Sequence, residues 1–149
     1  MADYKFLTDL PLAGELVADN FDGWPDWLKA EFAEHADDGH VGSRLLSEDS
    51  RVRVWEIRLA PGQRWHAHRH VLDYFWTAVN PGRSRQHTFD GTTRDVTYQA
   101  GETRHFHFGP GDYLLHDIEN IGDTELVFTT VEHLDSDNAP LTVDSAMSR

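Results

Sequence analysis

The stretch APGQRWHAHRHVLDYFWT, residues 60–77, places a histidine at every second position, at His66, His68 and His70. Successive side chains of a β-strand point to opposite faces, so an extended segment puts these three imidazoles on one face. Same-face residues lie roughly 6.6–7 Å apart along a strand, which lets two imidazoles lean onto one metal ion. The stretch predicts a strand that can supply metal ligands, although polar packing or a wet surface face would produce the same pattern.

Short β-like runs separated by turn signals follow from about residue 43 onward. Pro61-Gly62 ends the alternating run RVRVWEIRLA, and Asp90-Gly91 is a strong hairpin signal within SRQHTFDGTTRDVTYQAG. Roughly seven or eight strands with a turn about every 8–12 residues are typical of a sandwich or barrel. We therefore predict an all-β fold, an antiparallel jelly-roll barrel with one N-terminal helix.

The helix is predicted within DGWPDWLKAEFAEHADDG, residues 22–39. Asp22 or Gly23 is expected to cap it, and Pro25 lies where a first-turn proline is tolerated. Its apolar residues recur near a 3.6-residue period and predict one stripe that covers the open side of a sheet. The stripe comprises Trp24, Trp27, Leu28, Phe32 and Ala36.

Length and composition restrict the classes of function. A chain of 149 residues with a net charge of −13 fits one acidic domain, which is a poor partner for nucleic acid or a membrane. It has no cysteine, so any metal site must use His, Asp or Glu, and a reducing cytoplasm is the expected location. No signal-peptide pattern is recognised at the N-terminus. Within one domain we expect an N-terminal arm and helix (1–42), a barrel (43–135) and a solvated C-terminal extension (136–149).

Residues 50–135 resemble a cupin domain, in particular the small single-domain cupins that include those assigned to β-alanine degradation. Gly62, five residues and then His68-Arg69-His70 match the first cupin motif. His116 and Asn120 keep the histidine-to-asparagine spacing of the second motif, while the proline before them lies one residue too far from His116. The resemblance implies a jelly-roll barrel with His68, His70 and His116 pointing into its mouth.

The family's glutamate ligand has no direct counterpart in this chain. Tyr74 or Phe75 stands where that glutamate belongs, and Asp73 lies one residue early. Tyr74 could occupy the ligand position, Asp73 could turn in, or three histidines could act alone.

The pair of histidine ligands on this strand can also be assigned in a second way, by counting residues from a different starting histidine. Starting from His66 and His68, four residues lead to Asp73 and restore a carboxylate, but the glycine spacing then shortens from five residues to three. We favour His68 and His70 as ligands, with His66 as a reserve.

A site of three imidazoles suits a divalent ion such as Fe, Ni, Zn, Cu or Mn. In the cupins that this chain resembles, such sites support oxygenation, isomerisation, decarboxylation or lyase reactions on small polar molecules. We therefore expect a metal-dependent enzyme acting on a small polar or carboxylate metabolite, with Tyr74 as an acid or hydrogen-bond donor. The alternative is a non-catalytic cupin that binds a small ligand or supports an assembly. A homodimer is expected in either case, because cupin barrels commonly pair through sheet edges and the N-terminal arm could pair with a neighbouring barrel.

Other histidines carry weaker signals. His105 and His107 alternate with Phe106 and Phe108, and aromatic burial predicts that the phenylalanines face inward and the histidines face outward or toward another subunit. Four histidines in helix-end, turn or strand-end contexts receive no chemical role: His35, His40, His87 and His133.

Overall fold

The computed structural model describes residues 12–143 as two five-stranded antiparallel sheets with one helix. The elements are β1 (Glu15–Ala18), α1 (Asp26–Glu34), β2 (Arg44–Glu48), β3 (Val52–Leu59), β4 (Arg64–His70), β5 (Tyr74–Ala78), β6 (Gly82–His87), β7 (Thr93–Tyr98), β8 (Thr103–Phe106), β9 (Leu114–Asn120) and β10 (Leu126–His133). One sheet has the order β1-β7-β6-β9-β4 and the other the order β2-β3-β10-β5-β8.

The strands pair in a nested set around the β6–β7 hairpin. β5 pairs with β8, β4 with β9, and β3 with β10, and each successive pair belongs to the other sheet. The predicted turn at Asp90-Gly91 joins the central hairpin, and Gly91 has a φ of 91°, which favours glycine. The predicted all-β jelly-roll architecture is confirmed.

The main core lies between the two sheets, because alternate residues of each strand point inward. Its buried members are Ile57, Leu59, Ala78, Val96, Tyr98, Ile118, Leu126 and Phe128. Trp76 and Phe128 meet edge-on at 5.5 Å between ring centroids, and Tyr98 contacts both rings in the same way. Such edge-to-face pairs favour a fixed arrangement of the rings.

Helix α1 is shorter than predicted. Pro25, not Asp22 or Gly23, is the N-cap residue, because its φ of −70° and ψ of 159° are extended rather than helical. The helix ends at Glu34 with His35 as the C-cap, whereas the sequence pattern extended to residue 39. In the part of the chain that the structure describes, no helix has the length and apolar character needed to cross a membrane.

The prediction that this helix covers a sheet is confirmed. Three aromatic or aliphatic residues pack on the outside of β4 and β9, namely Trp24, Leu28 and Phe32 against Ala67 and Leu115. Trp27 does not belong to the buried stripe, since it is 56% exposed and lies under the Arg64 guanidinium at 5.0 Å.

The N-terminal arm contributes a strand to its own chain. β1 pairs with β7 at the edge of one sheet. β1 thus pairs within its own chain along one of its edges, and the expected pairing of the arm with a neighbouring barrel stays a prediction; residues 1–11 lie outside the described residues.

The C-terminal segment is less solvated than predicted as far as residue 143. Asn138 Nδ2 donates hydrogen bonds to two carbonyl oxygens, each at 3.0 Å, and Arg53 donates to the carbonyl of Leu141 at 3.1 Å. Val143 packs against the buried cluster around Trp55. Residues 136–143 are thus only partly solvated, with Asp137, Ala139, Pro140 and Thr142 exposed, while residues 144–149 lie outside the described part.

Strand β10 carries a buried carboxyl group. Glu132 on β10 is 3% exposed and accepts a hydrogen bond from Trp55 Nε1 at 2.8 Å. Burial raises the pKa of Glu132 to about 7, although the Trp55 hydrogen bond and the charge of Arg53 oppose this rise. The folded state therefore holds this proton more tightly than the unfolded chain, where a glutamate has a pKa of about 4.3.

We expect the free energy of unfolding of the parent to fall, relative to that of Glu132→Gln, as the pH rises from about 5 to about 7. The physical reason is that only glutamate ionises in this buried position, while glutamine keeps an acceptor for Trp55. Urea unfolding at a series of pH values measures the difference. Glu34→Gln is the matched control, since that side chain is 79% exposed. Parallel pH profiles for the parent and Glu132→Gln would contradict the prediction.

Candidate metal centre

A β-bulge in β4 determines which side chains face the space between the sheets. Trp65 pairs with Ile118 and His68 pairs with His116, so the step from 65 to 68 opposes the step from 118 to 116. The additional residue resets the alternation, and Trp65 and His68 both face inward. The backbone amide of Ala67 donates a hydrogen bond to the Glu31 carboxylate of α1 at 3.0 Å. The helix thus provides the hydrogen-bond acceptor for an amide within the bulge.

Three histidines converge between the sheets beyond this bulge. His68 and His70 come from β4, His116 comes from β9, and one nitrogen of each lies within 4.8 Å of the others. His68 is 1% exposed and His70 is 3% exposed. The structure therefore brings together the three residues that the cupin motifs indicated.

Hydrogen bonds fix the tautomers of two of these rings. His68 Nδ1 donates to the carbonyl oxygen of His66 at 2.9 Å, because a carbonyl can only accept. His116 Nδ1 lies 3.0 Å from Gln86 Oε1, and Gln86 Nε2 donates to the Tyr98 hydroxyl at 3.0 Å. Each of the two rings then keeps an unprotonated Nε2, which is the arrangement that outer hydrogen bonds impose on metal-binding histidines.

His70 is held by stacking rather than by a hydrogen bond at Nδ1. Its ring stacks on Tyr74 with centroids 4.1 Å apart and an angle of 14° between planes. Its Nδ1 is buried and has no hydrogen-bond partner among the described residues, while its Nε2 lies 3.2 Å from His116 Nε2. Two facing lone pairs repel unless a proton or a metal ion lies between them, so this donor set fits a divalent metal.

Burial keeps all three imidazoles neutral near neutral pH. It lowers the pKa of His68 to about 4, and it lowers the pKa values of His70 and His116 well below the usual histidine range. Neighbouring imidazoles lower the last two further. A neutral imidazole is the form that binds metals, so the rings need not lose protons before binding.

The cavity beside the triad is small and carries no formal charge. Its volume is about 40 Å³, enough for about three water molecules. Besides the three histidines it is lined by Val41, Ile57, Tyr74, Trp76, Gln86, Tyr98, Ile118, Phe128 and Thr130. No Asp, Glu, Lys or Arg of residues 12–143 belongs to this lining.

Two of the predicted site residues point elsewhere. Asp73 Oδ1 accepts the Phe108 amide at 2.8 Å, and its Oδ2 lies 3.6 Å from His107 Nδ1. The His66 ring stacks on His35 with centroids 4.2 Å apart, away from the triad. The expectation that His66 shares a face with His68 and His70 is wrong, because the bulge interrupts the alternation between positions 65 and 68.

The outward histidines agree with the sequence pattern. Phe106 and Phe108 are buried, and the His107 side chain is 69% exposed. His105 on β8 is also exposed.

Gln86 is the site residue that sequence reasoning missed. It reaches His116 because β6 lies beside β9 in the sheet. A single glutamine within SRQHTF carries no signal for this role, since only the strand order brings it to the triad. The Asn120 of the second motif has a structural role: its Nδ2 donates to the carbonyl oxygens of Leu59 and Thr124, at 3.0 and 2.8 Å.

Known proteins resemble this chain in both sequence and fold. Oxalate decarboxylase of Bacillus subtilis (strain 168) is 34% identical over 77 residues, which are 50% of this chain and 19% of that protein. The chain thus spans less than a fifth of this relative. No family model matches the chain.

Solved structures extend the likeness to about 60–67% of this chain. A cupin domain from Bordetella pertussis Tohama I superposes with a TM-score of 0.53 and 28% identity, covering 60% of this chain and 88% of that one. A protein with a double-stranded β-helix domain from Klebsiella pneumoniae has a TM-score of 0.50 at 21% identity, covering 67% and 82%, and shows the fold alone. Together with the nested strands and the two histidine motifs, these likenesses support the resemblance of this chain to the cupin superfamily.

Proposed function

We propose that this protein is a metal-dependent cupin enzyme that acts on a small polar or carboxylate metabolite at the centre formed by His68, His70 and His116. The observation that carries the proposal is the donor set of three buried, neutral imidazoles beside a cavity. A divalent ion bound there supplies a Lewis acid that polarises an oxygen atom of a ligand. Imidazole ligands suit iron, nickel, zinc and copper, whereas manganese prefers oxygen ligands.

The charge of the site favours an anionic ligand. Three neutral imidazoles bring no negative charge, and the cavity lining adds none, so the two positive charges of a divalent ion stay uncompensated in a low-dielectric space. A carboxylate compensates such a charge directly. The cavity of about 40 Å³ limits the ligand to a few non-hydrogen atoms. The partial relative is named an oxalate decarboxylase, and we propose a small carboxylate of this kind for the present chain.

Tyr74 is the proposed hydrogen-bond or proton donor of the site. It is 2% exposed and its ring is held between His70 and Phe106, with centroid distances of 4.1 and 4.7 Å. Burial raises the pKa of Tyr74 well above its ordinary value of about 10, and the nearby carboxyl of Glu132 adds to this rise. The phenol therefore keeps its proton at neutral pH and is available as a donor rather than as a base.

A second candidate is a cupin that binds a small carboxylate without converting it. The orientation of Asp73 favours this alternative, because its carboxylate accepts the Phe108 amide and leaves the triad without an acidic ligand. Binding and turnover can be separated experimentally, since both candidates require the three histidines and only one requires a reaction.

The double variant His70→Gln, His116→Gln is expected to lose one metal equivalent per chain relative to the parent. Both substitutions remove a nitrogen donor from the centre while keeping side chains of similar size. Elemental analysis of untagged protein, loaded separately with Fe, Ni, Zn, Cu and Mn, measures the loss. His107→Gln is the matched control, because that histidine is exposed on the outer face. Equal metal content in the parent and a folded double variant would refute the centre.

Tyr74→Phe is expected to keep the metal content and to lower turnover by about a hundredfold, because it removes only the donor hydroxyl. NMR of the metal-loaded parent with a panel of small mono- and dicarboxylates first identifies the compound that is consumed. The same measurement on Phe75→Tyr is the control, since Phe75 precedes Trp76 on the same strand but is not among the cavity-lining residues. Carboxylate binding without consumption of any compound would favour the non-catalytic candidate.

We further propose a cytoplasmic homodimer that pairs through the edge strand β1. The absence of cysteine supports a reducing compartment. Leu16 and Val17 of β1 are 50% and 46% exposed at a sheet edge, where exposed backbone groups favour strand pairing.

Light scattering of the parent is expected to give about twice the 17.0 kDa of one chain. Val17→Lys should shift the mass toward the monomer, because a charge at a sheet edge opposes pairing. Val79→Lys is the control, since Val79 is 49% exposed but lies outside β1. A monomeric parent would contradict the proposed dimer.

A further inference from the structure

We propose that His35, Asp38 and His66 form a second divalent-metal site on the outer surface of the barrel, beside the end of α1. One ligand atom from each of the three residues lies within 4.8 Å of the others. They come from three separate segments: the C-cap of α1, the loop that follows it, and the bulge of β4. The site is therefore created by the docking of the helix on the sheet.

The carboxylate of Asp38 lies at the centre of this group. Its Oδ2 is 2.7 Å from His35 Nδ1 and 3.8 Å from His66 Nδ1. The two imidazole rings stack with centroids 4.2 Å apart, so both present their edges toward the same carboxylate. Zinc would lie about 2.0–2.2 Å from each ligand atom. His66 Nδ1 contacts the carbonyl oxygen of Ala67 at 3.0 Å in this structure, and it would exchange that hydrogen bond for the ion.

A further histidine orients the carboxylate from the other side. Asp38 Oδ1 accepts the backbone amide of His40 at 2.9 Å and lies 2.7 Å from His40 Nδ1. Such an outer contact holds a ligating carboxylate in place and is typical of metal sites. Oδ2 is thereby directed toward His35 and His66.

The surroundings attract a cation and allow it to enter. The ligand side chains are 25%, 16% and 30% exposed for His35, Asp38 and His66, so the group is accessible and leaves room for water at a further coordination position. Glu34 Oε1 lies 3.8 Å from His35 Nε2 and adds negative charge. The net charge of −13 also raises the local concentration of cations.

The donor set differs from that of the barrel centre. Two imidazoles and one carboxylate bring one negative charge, whereas the barrel triad brings none. This combination suits zinc, which accepts nitrogen and oxygen ligands in a tetrahedral arrangement. An ion held here would connect the end of α1 to β4 and would stabilise the docking of the helix, because binding only the folded state shifts the folding equilibrium.

The test measures zinc binding in four untagged proteins that are first stripped with a chelator. They are the parent, the barrel variant His70→Gln with His116→Gln, the outer variant His35→Gln, and the barrel variant combined with His35→Gln. Elemental analysis after gel filtration gives the number of ions, and calorimetric titration gives the dissociation constant. His107→Gln is the control, because His107 is exposed and belongs to neither group of possible metal ligands found among the described residues.

We expect the barrel variant to bind one zinc ion, and His35→Gln in that background to weaken binding by at least about tenfold, since even loss of an outer contact costs 10–100-fold. Zinc should raise the melting temperature of the barrel variant, and His35→Gln should abolish that rise. The site is overturned if a folded barrel variant takes up no zinc, or if His35→Gln leaves zinc binding unchanged.

The outcome is independent of the proposed function. If the barrel triad binds no metal, the parent and the barrel variant each hold one ion and His35→Gln holds none. If the barrel variant fails to fold, as judged by circular dichroism, the parent and His35→Gln still decide the matter. The outer-site proposal then requires that His35→Gln hold one zinc ion per chain fewer than the parent, and equal zinc counts in the two proteins overturn it. Asp38→Asn repeats the comparison by removing the carboxylate charge and keeping the side-chain size.

Discussion

The extra residue in β4 is the constraint on which both histidine clusters depend. Regular alternation would place His66, His68 and His70 on one face, but the bulge gives His66 to the outer surface and leaves the other two between the sheets. A bulge takes a backbone group out of the ladder, and here the carboxylate of Glu31 accepts the amide of Ala67. The bulge thus separates the two clusters, and the Glu31 contact links it to the docked helix.

Burying the triad between the sheets costs free energy, and hydrogen bonds and a stacking contact with the surrounding strands offset part of that cost. Imidazoles removed from water lose their charged form, as the lowered pKa of His68 indicates. The hydrogen bonds to the His66 carbonyl and to Gln86 satisfy two of the rings and aim their Nε2 atoms at one point. His70 instead stacks on Tyr74, which places the proposed proton donor directly beside the centre. The contacts that hold the rings in place therefore also position the residue proposed as the proton donor.

Much of the fold could be predicted, because its signals are local. The Asp90-Gly91 turn, the alternation of β3 and the apolar stripe of the helix each depend on a few neighbouring residues. The helix boundaries were less accurate, since extended backbone at Pro25 begins the helix later than the sequence pattern suggested. The C-terminal segment makes more contacts than its polar composition suggested, because composition does not reveal the hydrogen bonds that Asn138 makes to carbonyls distant in sequence.

The sequence by itself indicated an all-β fold, and its resemblance to cupins implied the three histidines that come together, while the spacing alone left His66 and Asp73 as alternative ligands. Only the tertiary structure decided that His66 leaves this group, that Asp73 turns toward the Phe108 amide, and that Gln86 joins the site. It also brought His35 and Asp38 to His66. The physical reason is that a one-residue bulge and the order of strands in a sheet reassign faces and neighbours, and neither is encoded in the spacing of a local motif.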